Sequence, residues 1–132
     1  MEKINNKLDF YVDSMVFISN IVEVLNEKID YLSKISLSDY FDKFSTTADS
    51  LDRVHKNAEN FVKLHDKSLD DNNIINFINT VDNYIEYHIR LLDNSTPSNY
   101  LLNHKYIVES LGTIVSTANH KLKQIELEIN KL

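Results

Sequence analysis

The sequence predicts an all-α fold, an antiparallel up-down-up-down four-helix bundle with heptad-type seams. Three observations carry that expectation. Apolar residues recur at alternating spacings of three and four through four stretches, which is the core seam of one helix packed on another. The breaks between these stretches are short and polar, so consecutive helices are antiparallel neighbours. The 132 residues include one glycine and one proline, too little turn chemistry for an all-β chain. A chain of this length forms a single domain, residues 1–132, with a core of its own.

The first helix is predicted over 2–34. Its seam runs from Ile4 through Leu8, Tyr11, Met15, Ile18, Val22, Leu25 and Ile29 to Leu32. A second row, Phe10, Phe17, Val24 and Tyr31, repeats every seven residues beside it. An apolar arc this broad belongs to a helix that touches two neighbours. The second helix is predicted over 38–68, capped by Ser36 or Ser38 with Asp39 favourable in its first turn. Its seam, Leu37 to Leu69, includes His55 and His65, and its flank is Tyr40, Val54 and Phe61. Asp70, Asp71 and Asn72 make the next break. The third helix is predicted over 72–92, with Ile74, Ile78, Val81, Ile85, His88 and Leu92 on the seam and Phe77, Tyr84 and Leu91 beside it. It is shorter than the others by about ten residues, or about 15 Å. The end of the fourth helix is therefore expected to protrude as an amphipathic tail. That helix is predicted over 97–131, with Thr96 as N-cap and Pro97 at its first position. Its seam runs from Leu101 through His104, Val108, Leu111 and Val115 to Leu132, flanked by Tyr100, Ile107 and Ile114. Gly112 lies inside it, at a cost of about 1 kcal/mol against alanine.

Composition excludes several functions. There is no cysteine, hence no disulfide framework, thiolate metal site or thiol nucleophile. This fits a reducing compartment, and a cytoplasmic location is the expectation. A net charge of −6 disfavours direct contact with nucleic acid or an anionic membrane surface. Asp9 and Asp13 interrupt the first apolar run, which is unlike a signal peptide, and no window is apolar enough for membrane insertion. One glycine rules out a phosphate-cradling or dinucleotide loop. An all-helical nuclease of the HEPN type needs an Arg followed four to six residues later by His; neither Arg53 nor Arg90 has one. The carboxylates Asp9, Asp13, Glu23, Glu27 and Asp30 stripe the polar side of the first helix, a solvated face or a surface for a basic partner.

Four of the five histidines fall on the seams. With short loops, His55, His88 and His104 come within about 3 Å of one level along the bundle, and His65 about 15 Å lower. Two readings follow. The imidazoles form a polar layer, held by Asp52, Glu59, Glu109, tyrosine hydroxyls or water, that fixes helix register. Alternatively His55, His88 and His104 hold a metal or cofactor, as histidines on facing helices of a bundle do. His55-x-x-x-Glu59 resembles one element of a hemerythrin-type di-iron site. His88-x-x-x-x-Asp93 and His104-x-x-x-x-Glu109 are similar to another of its elements. The first helix has no histidine, however, and no pair of histidines is spaced four apart. A ferritin-like carboxylate site would require two Glu-x-x-His pairs, and only Asp52-x-x-His55 is similar. The fifth, His120, lies off the seam. The string His120-Lys121-Leu122-Lys123 is similar to the signature of histidine phosphotransfer domains, whose exposed imidazole accepts a phosphoryl group. Here Gln124 stands where that family has glycine.

The expected function is a non-enzymatic protein–protein interaction module, an adaptor, assembly subunit or small inhibitor, with no cofactor. The ground is surplus apolar surface: each helix carries a seam and a flanking row. The row Phe10, Phe17, Val24 and Tyr31, or the tail of the last helix, would take a partner helix or make a homodimer. The metal- or cofactor-binding bundle is the alternative, with histidine phosphotransfer behind it.

Overall fold

A computed structural model of the chain describes residues 2–34, 40–65, 72–96 and 99–132. They form four helices: α1 (Glu2–Ser33), α2 (Tyr40–His65), α3 (Asn72–Asp93) and α4 (Tyr100–Asn130). No strand occurs among the described residues. The expected caps at Ser36 and Ser38, Asp39, the break at Asp70 and Asp71, residues 66–68 and Pro97 lie outside them.

The pairing is that of a four-helix bundle. α2 packs most extensively on α3 and α1 on α4, while the α1/α2 and α3/α4 seams are looser. Named contacts show the alternation of direction. Phe10 at the start of α1 meets Phe61 near the end of α2, with ring centroids 6.4 Å apart. His88 near the end of α3 stacks on Tyr106 near the start of α4 at 6.0 Å. His104 in the first turns of α4 reaches the Leu32 carbonyl at the end of α1, at 2.6 Å.

The seams make the core. Leu25, Leu51, Ile85 and Leu111 are fully buried in one cluster, and Ile18, Ile78, Ala58 and Ile125 lie in a second towards the other end. Burying each Leu or Ile contributes about 1.5–3 kcal/mol. The flanking rows divide. Phe10, Val54, Phe61, Ile107 and Ile114 are core, Phe17, Val24, Phe77 and Leu91 are half-buried, and Tyr84 is 55% exposed.

α3, with 22 residues, is shorter than α1 (32) and α4 (31) by about ten, as expected, but shorter than α2 (26) by only four, about 6 Å. Two expectations change. No free tail projects from α4: Ile125 is buried and Ile129 packs with it against the cluster that contains Phe10 and Tyr11 of α1. The 31 residues of α4 are covered by the 32 of α1. The start of α4 also differs. The Asn99 side-chain oxygen accepts the Thr96 backbone N–H at 2.7 Å and the Asn99 N–H donates to the Thr96 carbonyl, closing a turn ahead of the helix. Asn99, not Thr96, then occupies the N-cap position, although its side chain caps no helical N–H.

Gly112 tests the helix argument directly. A β-carbon built there meets no atom within 4 Å. Gly112→Ala should therefore raise stability by about 1 kcal/mol, seen as a higher urea midpoint with an unchanged slope. An unchanged or lower midpoint would show that the position contributes something other than backbone entropy.

Candidate functional site

The seam histidines do not share one layer. His55 on α2 faces Asp82 on α3, whereas His88 lies six residues, about 9 Å, further along α3. His104 stacks on Phe44, eleven residues or about 16 Å before His55 on α2. The reason is that α3 is only four residues shorter than α2, so the chain returns close to the level where α2 begins and His104, early in α4, lies near that end. The trio His55, His88 and His104 is thus spread along the bundle, and each imidazole has its own surroundings.

His104 is structural. Its Nε2–H donates to the Leu32 carbonyl, in the last turn of α1, where carbonyls lack intrahelical partners. A side chain of α4 thereby caps α1. His65 is enclosed by aromatic rings, its centroid 4.4 Å from Phe61 and 5.3 Å from Phe10. His120 is exposed, 3.3 Å from the Gln124 amide nitrogen.

His88 is fully buried. Its Nδ1–H donates to the Tyr84 carbonyl one turn earlier, at 2.5 Å. Among the described residues, neither the opposite nitrogen, Nε2, nor the buried hydroxyl of Thr47 on α2 has a hydrogen-bond partner. Burial pushes the His88 pKa down, and the bond to Tyr84 only partly offsets this. The ring is therefore neutral at pH 7, held between the edge of Tyr87 and the face of Tyr106.

His55 is the opposite case. Its Nδ1 is 2.6 Å from Asp82 Oδ1 and its Nε2 is 2.7 Å from Glu59 Oε1, one turn along α2. The hydrogen bond to Asp82 at Nδ1 and the Glu59 charge beside Nε2 both favour the imidazolium. Burial lowers the His55 pKa, but the hydrogen bond and charge of Asp82, with Glu59 and Glu86, outweigh it and the net shift is upward. Asp82 is buried, which raises its own pKa; the bond and charge of His55 act against this without cancelling it. Among the described residues this is the group whose ligand atoms converge, all within 4.8 Å of one another. Asp52, an expected partner of His55, instead binds Lys56 at 2.9 Å. Asp82 was not legible as a site residue, because its partner lies 27 residues away on another helix.

The second feature is a set of clefts along the two loose seams: one of about 350 Å³ between Asn73 on α3 and the charged end of α4, and two over apolar floors. The larger, about 590 Å³, runs between α3 and α4. Phe77, Val81 and Ile114 floor it; Tyr84 and Tyr106 wall it; Thr80, Glu109, Ser110, Thr113 and Thr117 form its rim. The smaller, about 280 Å³, lies between α1 and α2 over Phe17, Val24 and Phe61. The expected surface row of α1 is thus divided. Phe17 and Val24 line this smaller cleft, Phe10 is 2% exposed in the core, and the half-buried Tyr31 ring lies beneath the Lys28 ammonium at 5.2 Å. The correction for Phe10 follows from the crossing of α1 and α2, which seats it against Phe61 and His65.

The two titrating imidazoles give opposite pH dependences. The raised pKa of His55 contributes stability that is fully present below the unfolded value of about 6.5 and is lost as pH rises through the folded pKa. The lowered pKa of His88 contributes the reverse: full stability above about 6.5, lost as pH falls towards the folded pKa. His88→Leu removes a buried unpaired acceptor, so it should stabilise the chain by about 1 kcal/mol at pH 7.5. The gain should be larger at pH 5.5, where the wild-type unfolded state also takes up a proton. Urea midpoints at the two pH values check this; a loss of stability at both would mean that Nε2 has a partner.

Comparison with known proteins returns no family model, no curated protein and no solved structure that matches the chain, so its function is argued from this geometry.

Proposed function

We propose that this protein is a non-enzymatic interaction module of the cytoplasm, an adaptor, assembly subunit or small inhibitor, that binds one amphipathic helix of another protein in the α3/α4 cleft. The observation that carries the reading is the cleft itself, an apolar floor left uncovered where two antiparallel helices stand apart. A groove of this kind takes the apolar stripe of a third helix. From Tyr106 to Thr117 it extends about 16 Å, room for about three helical turns. Tyr84, Tyr87 and Tyr106 are each about half exposed around its upper end, and tyrosine is a residue type that concentrates binding energy at interfaces.

The chemistry of the partner follows from the rim. Glu109 is the charged residue lining the cleft, and the chain carries −6. The fitting occupant presents Leu, Ile or Met at a spacing of three and four, with Lys or Arg beside that stripe to meet Glu109 and the overall field. The Ser110 hydroxyl lies at the rim, and those of Thr80 and Thr113, which donate to the Asn76 and Glu109 carbonyls, can accept a hydrogen bond there. No helix among the described residues is long and apolar enough to cross a membrane, which leaves the exposed apolar floor to a protein partner in this reading.

A photo-crosslinking residue at Thr113, in the cleft, should label one partner in cells of the source organism, and the same residue at exposed Ser19 on α1 should not. Thr113→Arg blocks the cleft from an exposed position and should weaken binding of that partner by at least about tenfold, or about 1.4 kcal/mol, with unchanged helical circular dichroism. Equal labelling from Ser19, or labelling only of a second copy of the chain, would overturn the proposal.

A further inference from the structure

We infer that His55, Glu59 and Asp82 form a binding site for a divalent first-row transition-metal ion of the zinc class, bridging α2 to α3. The inference is independent of the cleft. It rests on donor type, convergence and charge.

The donor set is one imidazole nitrogen and two carboxylate oxygens, a mixture that suits Zn²⁺ and its neighbours better than the oxygen-seeking Mg²⁺ or Ca²⁺. His55 and Glu59 are four apart on one helix and so project together. Asp82 reaches them from the facing helix. The three ligand atoms lie within 4.8 Å of one another. Bonds of about 2.0–2.2 Å to one ion require donors no more than about 4.4 Å apart. Asp82 and Glu59 stand at opposite nitrogens of the ring and an ion takes only one of them, so the half-exposed Glu59 side chain swings to the nitrogen that Asp82 faces when the ion binds. Asp82 is largely buried and His55 partly so, while Glu59 opens to solvent, leaving a side from which water completes the coordination.

Charge gives the second argument. Three carboxylates, Glu59, Asp82 and Glu86, act on the His55 ring, and Arg90 binds Glu86 at 2.9 Å. With an imidazolium at the centre this group keeps one net negative charge. A divalent ion bound by the neutral imidazole removes it. The ion takes the place of a proton: an N–H bond of His55 breaks, a metal–nitrogen bond forms, and the proton goes to solvent.

The test uses the full chain, freed of metal by a chelator and titrated with Zn²⁺ at a pH where His55 is protonated. One equivalent should bind, raise the melting temperature and release one proton, read from the dependence of the calorimetric heat on buffer ionisation. His55→Asn should abolish binding, and Glu59→Gln and Asp82→Asn should each weaken it by at least about tenfold. His120→Ala, remote and exposed, should bind as the wild type does. Glu59→Gln guards against misfolding, because the side chain is half exposed on a helix. Wild-type affinity in Glu59→Gln, binding lost in His120→Ala instead of His55→Asn, or no binding by the folded wild-type chain overturns the inference.

Discussion

The register of α2 on α3 governs the rest of the molecule. It is held at its middle by the 2.6 Å contact of His55 with Asp82 and along its length by matched seams, Leu51 and Ala58 from one helix and Ile78 and Ile85 from the other. A shift of a single turn, about 5.4 Å, would separate that ion pair and leave Asp82 buried without its proton donor, at a cost of several kcal/mol. Because α3 retraces α2 in this register, the chain reaches the end where α2 began before α4 starts. α4 can then run the full length of α1, and the imidazole of His104 meets the orphan carbonyl of Leu32. The two shorter helices form one pair and the two longer helices another, and the bundle is the apposition of the pairs.

Three seam histidines are thus retained by three different balances. His104 gives a hydrogen bond to a carbonyl in the last turn of α1. His55 keeps two protons because carboxylates stand at both nitrogens. His88 keeps one, because its ring is sealed from water with a carbonyl on one side and no partner on the other. The same residue type on the same repeat is cationic in one place and neutral in the other, and the difference is burial set against nearby carboxylate. Their linkages to pH act on opposite sides of about 6.5, so together they give the chain a stability maximum near that pH, falling away in both directions.

The fold class was legible because a 3-4 spacing kept through four stretches leaves few alternatives to helices on helices. The flanking rows were legible as apolar but not as to destination. Phe10 and Tyr84 hold equivalent places beside their seams, yet one is buried and the other half exposed. What separates them is the spacing between helix pairs, a tertiary quantity that periodicity does not carry. The histidine layer was misplaced for a related reason. Its levels depended on helix lengths counted from loop signals, and a few residues' error at each boundary moves a side chain by more than a turn. Glu59 was visible beside His55 because the two are local, whereas Asp82 required the register of a second helix. The cluster around His55 was thus half readable from the chain.

The clefts are a consequence of the same construction. Where two tightly packed pairs meet, their outer edges diverge, and apolar residues of both pairs stay partly uncovered at the α1/α2 and α3/α4 seams. The edges differ in chemistry. Asn20, Asn57 and Asn60 rim the first, where amide groups hold water well. Tyrosine and threonine rim the second, presenting rigid rings and methyl groups that gain free energy when covered. Each Å² of apolar area the cleft leaves wet forgoes about 25 cal/mol, so the α3/α4 edge is where a partner has most to contribute. α3 is the shared wall: Asp82 points to α2 while its neighbours Val81 and Thr80 line the cleft. Whatever holds Asp82 against His55 therefore also holds that wall in place, so the cleft is a preorganised surface, and the proposed partner helix would bind without the cost of ordering it.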